Sequence, residues 1–134
     1  MIRRVVISVL LFVFASSAAA QDSKYLCTVY IPGGFLKGRD FLEMSSQTKE
    51  AYSMGFLNGL LVSPALRGDQ DTTNALNECI KDMRSDQIAA IIEKHIRANP
   101  AEWHNGVHML SLAAFEDTCP SMKAAISKAC KNRP

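Results

Sequence analysis

Apolar residues recur every three or four positions along most of the chain after residue 40, a spacing that is typical of helices. The clearest case begins at Ser85, which is the predicted N-cap of a helix. One face of this helix carries Ile88, Ile91, Ile92, His95 and Ile96. Pro100 disfavours helical geometry at Asn99, so the helix is predicted to end there.

A second helix is predicted from Ala101 to about Asp117, with Asn99 as its cap and Glu102 at the capping-box position. One face of this helix carries Trp103, Val107, Leu110 and Ala114, and most of the rest is covered by Met109, Leu112, Ala113 and Phe115. A helix that is apolar on most sides is predicted to lie at the centre of the fold.

A long helix is also predicted from Gln47 to about Leu66. Its predicted inner face carries Ala51, Met54, Leu57, Leu61 and Ala65, widened by Phe56 and Leu60. Gly55 and Gly59 lie within this helix, where each costs about 1 kcal/mol relative to alanine. We interpret the pair as a site of close packing against the central helix, at Val107, Leu110 and Ala114. A membrane G-x-x-x-G motif is disfavoured because Asn58 and polar flanks interrupt the apolar stretch.

The segment from Arg67 to Asn77 is predicted to be an exposed loop, because its first eight residues include no apolar side chain. Such a loop is either a solvated connection or a site of recognition. Before it, Asp40 is predicted to cap a short helix, and near the chain's end Ser121 is predicted to cap the last one. The fold class is therefore all-α, a compact bundle of about five helices.

The N-terminal segment has two further features. Arg3 and Arg4 precede an apolar run and then small residues, which predicts a secretory signal peptide over residues 1–20, cleaved after about Ala20. An uncleaved anchor is the alternative, but the apolar run is short for a membrane span. After it, an extended arm held by Cys27 is predicted from the alternation of Tyr25, Cys27, Val29 and Ile31.

Removal of the signal leaves residues 21–134 as one predicted domain, exported and not bound to a membrane. The formal net charge of +2 falls to zero when Arg3 and Arg4 are removed, so nothing in the charge favours a nucleic-acid partner. The four cysteines all lie in the exported part, where an oxidising compartment favours a disulfide framework. Three connectivities are open at this point.

Catalytic and metal-binding patterns are weak. The cysteines form no C-x-x-C pair, and His104 and His108, four apart on the predicted central helix, lack the glutamate of a metalloprotease motif. No nucleophile motif such as G-x-S-x-G is present. The residues favour a binding protein with no cofactor, metal site or catalytic residue over the alternative of a small secreted hydrolase.

Two segments, Glu50–Gly59 and Cys79–Cys119, resemble the Rap/Tai family of immunity proteins. The matched residues are Ala51, Tyr52, Gly55, Gly59, Cys79, Ile80, Pro100, His104 and Cys119. Ser53 and Lys81 stand where the family has cysteine and proline, and Asp117-Thr118 replaces a phenylalanine and a proline. The resemblance covers roughly Phe41 to Cys119.

The resemblance implies a periplasmic immunity protein that, as a homodimer, neutralises a cell-wall amidase toxin delivered by type VI secretion. It also implies a Cys79–Cys119 disulfide, and the position of the other two cysteines near the mature ends favours a Cys27–Cys130 bridge. For such a partner, Arg67, Asp69 and Asp71 of the predicted loop are candidate binding residues, with the aspartates facing a basic residue of the toxin. A periplasmic helical chaperone of the acid-stress type is the alternative.

Overall fold

The computed structural model describes residues 35–131, which form six α-helices. In chain order these are α1 (Gly38–Glu43), α2 (Ser46–Val62), α3 (Gln70–Ile80), α4 (Ser85–Ala98), α5 (Val107–Thr118) and α6 (Pro120–Lys131). Two short 3₁₀ helices follow α2 and α4, at Ser63–Leu66 and Pro100–Glu102. The predicted all-α class is confirmed. The predicted signal peptide and the arm around Cys27 lie outside the described residues.

The two central helices are α4 and α5, which pack against each other. On one side α4 contacts α2, and on the other α5 contacts α6, which in turn covers α3. Their shared core is apolar and includes Phe41, Leu57, Leu76, Ile92, Ile96, Leu110, Phe115 and Met122. The predicted Cys79–Cys119 disulfide is present and joins the end of α3 to the end of α5. Because Cys27 is not described, the Cys27–Cys130 bridge stays a prediction.

The start of α4 differs by one residue from the prediction. Arg84 is the N-cap, and the Gln87 side chain accepts a hydrogen bond from its N–H at 2.9 Å. Ser85 is the first helical residue, and its hydroxyl donates to Glu50 Oε2 at 2.8 Å. The serine thus links α4 to α2 instead of capping its own helix.

The start of α5 was predicted six residues too early. The Pro100–Glu102 segment makes a single 3₁₀ turn, and α5 begins only at Val107. Backbone contacts with the start of α1 and the residues before it hold the chain out of the helix: Val107 N–H donates to Leu36 O at 2.8 Å, and the N–H of Gly38, the first residue of α1, donates to Asn105 O at 3.0 Å. These tertiary hydrogen bonds override the local capping signal.

The inner face of α2 was predicted correctly only in part, since Leu57 is buried and Met54, Phe56 and Leu60 pack against the core as predicted. Lys49, Ser53 and Leu57 are its buried residues, whereas Ala51, Gly55 and Gly59 are exposed and Ala65 lies beyond the helix, in the 3₁₀ turn. A Cβ atom added to either glycine would have no neighbour within 4 Å, so neither glycine makes the predicted close packing. Alanine and glycine bury little apolar area, and the larger Tyr52, which was not predicted, packs against the core together with the predicted Phe56 and Leu60.

The predicted loop is mostly helix. Asp69 caps α3, because its Oδ2 accepts hydrogen bonds from the Thr72 N–H and hydroxyl, both at 2.7 Å. Thr73, Leu76 and Ile80 then lie on the buried face. The polar first turn hid this helix, since a cap followed by threonines has the composition of a loop.

Candidate protein-binding surface

Exposed apolar side chains mark the junction between α2 and α3. Leu66 is 78% exposed and Val62 is 54% exposed. Pro64 has no N–H to continue the helix, and α2 gives way to a 3₁₀ turn just after Val62. We call Val62, Leu66 and Arg67 the α2–α3 corner. Exposed apolar side chains that adjoin one another mark contact sites, so Val62 and Leu66, four residues apart, are candidates for one.

The α2–α3 corner is held in one conformation by backbone hydrogen bonds. Arg67 takes a left-handed conformation with φ of 68°, and its N–H donates to Pro64 O at 3.1 Å. Gly68 N–H donates to Ser63 O at 2.8 Å. A Cβ atom on Gly68 would lie 2.8 Å from that same oxygen, so only glycine fits there without a shift of the backbone. A corner ordered in this way loses little entropy on binding.

A polar cleft of about 430 Å³ lies beside the corner, between the start of α3 and the end of α6. Lys128 Nζ and Asp71 Oδ2 form an ion pair across it at 3.0 Å. The hydrogen bond to Asp71, together with the aspartate's charge, raises the pKa of Lys128. Both side chains are mostly exposed, which makes this pair a weak contribution to stability and leaves it accessible to a partner.

The three predicted binding residues all line this cleft, but they have different roles. Asp69 caps α3 and Asp71 pairs with Lys128, so both carboxylates already have bonds within the chain. Arg67 forms no side-chain ion pair within residues 35–131, in contrast to Asp71. The structure therefore brings the three together and gives Asp69 and Asp71 bonds within the chain, while their role in binding a partner stays a prediction.

An apolar groove of about 380 Å³ opens on the other side of α3 and continues into the polar cleft through Asp69 and Ala129. Its apolar lining comes from α2, α3, α5 and α6, namely Leu60, Leu76, Leu112, Met122, Ile126 and Ala129, with Cys130 at its end. Sequence patterns did not indicate the groove, Lys128 or the exposed Leu66. The exposure of Leu66 could have been predicted from Pro64, because a proline there separates Leu66 from the α2 helix.

The histidine pair does not form the predicted arrangement. His104 is exposed in the turn before α5, while His108 lies in α5 and its ring is 4.8 Å from that of Phe35. The two are therefore not on one helix face. Within residues 35–131, no group of three or more histidine, cysteine or acidic side chains is placed to hold a metal ion. No helix in this part of the chain is long and apolar enough to cross a membrane.

Comparisons with known proteins leave the surface geometry and the sequence resemblance as the guides to function. No protein-family model, no curated protein and no solved structure matches the chain.

Proposed function

We propose that this chain is a periplasmic binding protein that neutralises a cell-wall amidase toxin by direct protein contact. The observation that carries the proposal is the α2–α3 corner, where Leu66 is exposed on a turn whose backbone is already fixed. The motif resemblance to immunity proteins adds the class of partner. Catalysis by the chain itself has no part in this function.

The corner has the chemistry that a toxin's cleft requires. Leu66 and Val62 supply apolar area, and burying a leucine side chain contributes roughly 1.5 to 3 kcal/mol. Arg67 next to them offers a planar set of donors to a carboxylate of the toxin. The Asp71–Lys128 pair lies in the polar cleft that Arg67 also lines, so charged groups adjoin the corner, and a polar edge beside an apolar centre is typical of protein interfaces.

The surface beside the corner can extend the contact area. A specific interface takes about 800 Å² from each partner, more than the corner alone provides. The polar cleft and the exposed side of α6 adjoin the corner and enlarge the available area. A homodimer, which the sequence resemblance implies, would present two such surfaces.

The test is capture of the partner from periplasm with the tagged chain, followed by an inhibition assay. We expect mass spectrometry to identify a peptidoglycan amidase, and the purified chain to block its hydrolysis of peptidoglycan at a stoichiometry near one to one. Sedimentation of the complex then gives the oligomeric state. A chain that captures no amidase but suppresses aggregation of many proteins at acid pH would be a chaperone, and the proposal would be wrong.

A further inference from the structure

We propose that the polar cleft and the neighbouring side of α6 form a cationic surface that binds an acidic stretch of a partner protein. The basic residues of this surface are Arg67 of the α2–α3 corner and Lys128 and Lys131 of α6. The inference rests on the proposed function in that the partner is a protein, but it does not require that protein to be an amidase.

The charged side chains of α6 are all positive. The helix has three lysines and no acidic residue, and all three lysines are exposed. Lys128 lines the polar cleft, and Lys131 follows it by three residues, which places both on one side of the helix. Lys123 precedes Lys128 by five residues, so it lies about 140° away around the helix. Two of the three positive charges therefore stand on the side of the cleft.

Ion pairs within the chain neutralise much of the positive charge elsewhere on the described surface, as where Lys81 pairs with Glu78. Beside the cleft, Lys128 is paired with an aspartate of α3. Arg67 and Lys131 form no ion pair within residues 35–131. Positive charge that the chain itself leaves uncompensated attracts acidic groups of a partner and speeds their association.

The backbone of Arg67 is a second, independent observation. Its φ of 68° lies in the left-handed region, which is unfavourable for a residue with a side chain and is usually occupied by glycine at the end of a helix. Glycine at this position would therefore favour folding. Residues held in unfavourable conformations cluster at binding sites. Because the Arg67 side chain lines the cleft, its contribution is to binding and not to stability.

The mixed charge of the cleft favours a protein over other anionic partners. Asp69 and Asp71 also line it, so the closely spaced phosphates of a nucleic acid would meet negative groups there. A membrane surface takes up large apolar side chains, whereas the exposed side of α6 carries Ala124 and Ser127. A protein can place separate carboxylates at the basic groups and hydrogen-bond donors at the aspartates.

The experiment is an NMR titration of the isotope-labelled full chain with a short polyglutamate peptide, and polyglutamine of the same length is the uncharged match. Lys131→Gln removes a charge on the side of the cleft. Lys123→Gln is the matched control, because it removes the same charge from another side of the same helix. Arg67→Gly removes a charge and also the unfavourable backbone conformation, so its melting temperature is measured as well.

We expect polyglutamate to change the chemical shifts of residues around the cleft. Lys131→Gln should weaken this binding about threefold, the size expected of one exposed ion pair, with Lys123→Gln close to the parent chain. Arg67→Gly should weaken binding by at least as much. It should also raise the melting temperature by about 2 to 5 °C, a combination that a purely structural arginine would not give.

The proposal would be overturned by the absence of shift changes around the cleft, or by equal weakening in Lys123→Gln and Lys131→Gln. A lower melting temperature of Arg67→Gly would also overturn it, since the arginine would then serve the fold. Tighter binding of duplex DNA or of phosphatidylglycerol vesicles than of polyglutamate would show that the partner class is wrong. Failure to capture an amidase would leave these results unchanged, so the two proposals fail separately.

Discussion

At the scale of single residues, the most buried charge of the described chain is Lys49. Its side chain is 9% exposed, its ammonium lies 3.0 Å from Glu93 Oε2, and it sits 6.0 Å from the centre of the Phe41 ring. Arg97, one turn further along α4, also donates to Glu93. A buried lysine is tolerated here because its charge is paired and hydrogen-bonded across the α2–α4 contact.

The cluster of Lys49, Glu93 and Arg97 makes the free energy of unfolding depend on pH. Burial alone would raise the pKa of Glu93, but hydrogen bonds from Arg97 and Lys49 outweigh it and hold the pKa below its usual value of 4.5. A carboxyl with a lowered pKa stabilises the fold above the unfolded-state pKa and loses that contribution as the pH falls through the folded-state value. We expect the free energy of unfolding to begin falling near pH 4.5 and to continue falling below it.

The variant Glu93→Gln tests whether Glu93 causes this pH dependence. It removes the titrating carboxyl group and leaves Lys49 without a counter-charge. We expect it to cost about 1 to 3 kcal/mol at pH 7 and to flatten the loss of stability in acid. Urea unfolding at a series of pH values measures both effects. A parent and a variant that lose stability in parallel between pH 5 and pH 3 would show that Glu93 does not carry this dependence.

At the scale of elements, sequence patterns predicted helices where apolar residues are large and regularly spaced. Ile88, Ile92 and Ile96 of α4 are buried as predicted. The same approach was right only in part for α2, where Leu57 is buried as predicted but Ala51 is exposed. It misplaced the start of α5, which depends on hydrogen bonds from distant residues. Local patterns contain the helix period but not the tertiary partners that set boundaries and orientation.

The cap of α3 gives one prediction at this scale. Asp69→Ala removes the side chain that accepts from Thr72, and we expect a loss of about 0.5 to 2 kcal/mol. Asp69→Asn keeps a capping oxygen and should lose much less. Thermal unfolding of the two variants checks the capping role of Asp69. If alanine and asparagine had the same effect, the cap would not be the source of the stability.

The exposed glycines of α2 give a second prediction at the scale of elements. Gly59 has open space where a side chain would lie, so Gly59→Ala should stabilise the protein by up to about 1 kcal/mol through helix propensity. Gly38→Ala is the matched control, because a Cβ there would lie 2.7 Å from Leu110 Cδ1, and it should destabilise. Melting temperatures should therefore move in opposite directions. A loss of stability in Gly59→Ala would place a close contact on this face of α2.

At the scale of the whole molecule, the disulfide and the core place the candidate site. Cys79–Cys119 links residues 40 apart in sequence, and such a bridge typically contributes about 2 to 4 kcal/mol. It fixes the end of α3 on the central pair of helices, and α6 packs across α3 and α5. The α2–α3 corner and the polar cleft are therefore displayed on a rigid frame. Sequence patterns located Arg67 and Asp71, but only the fold brought Lys128 to the same cleft and left Leu66, next to Arg67 in the chain, exposed.

The central claim is that the α2–α3 corner binds the toxin, and calorimetric titration of the captured amidase with Leu66→Asp tests it most directly. Ala101→Asp, at an exposed position in the turn before α5, is the control for an added surface charge. We predict that Leu66→Asp weakens binding at least tenfold, roughly 1.4 kcal/mol, while Ala101→Asp binds like the parent chain. Unchanged affinity in a folded Leu66→Asp variant would contradict the claim.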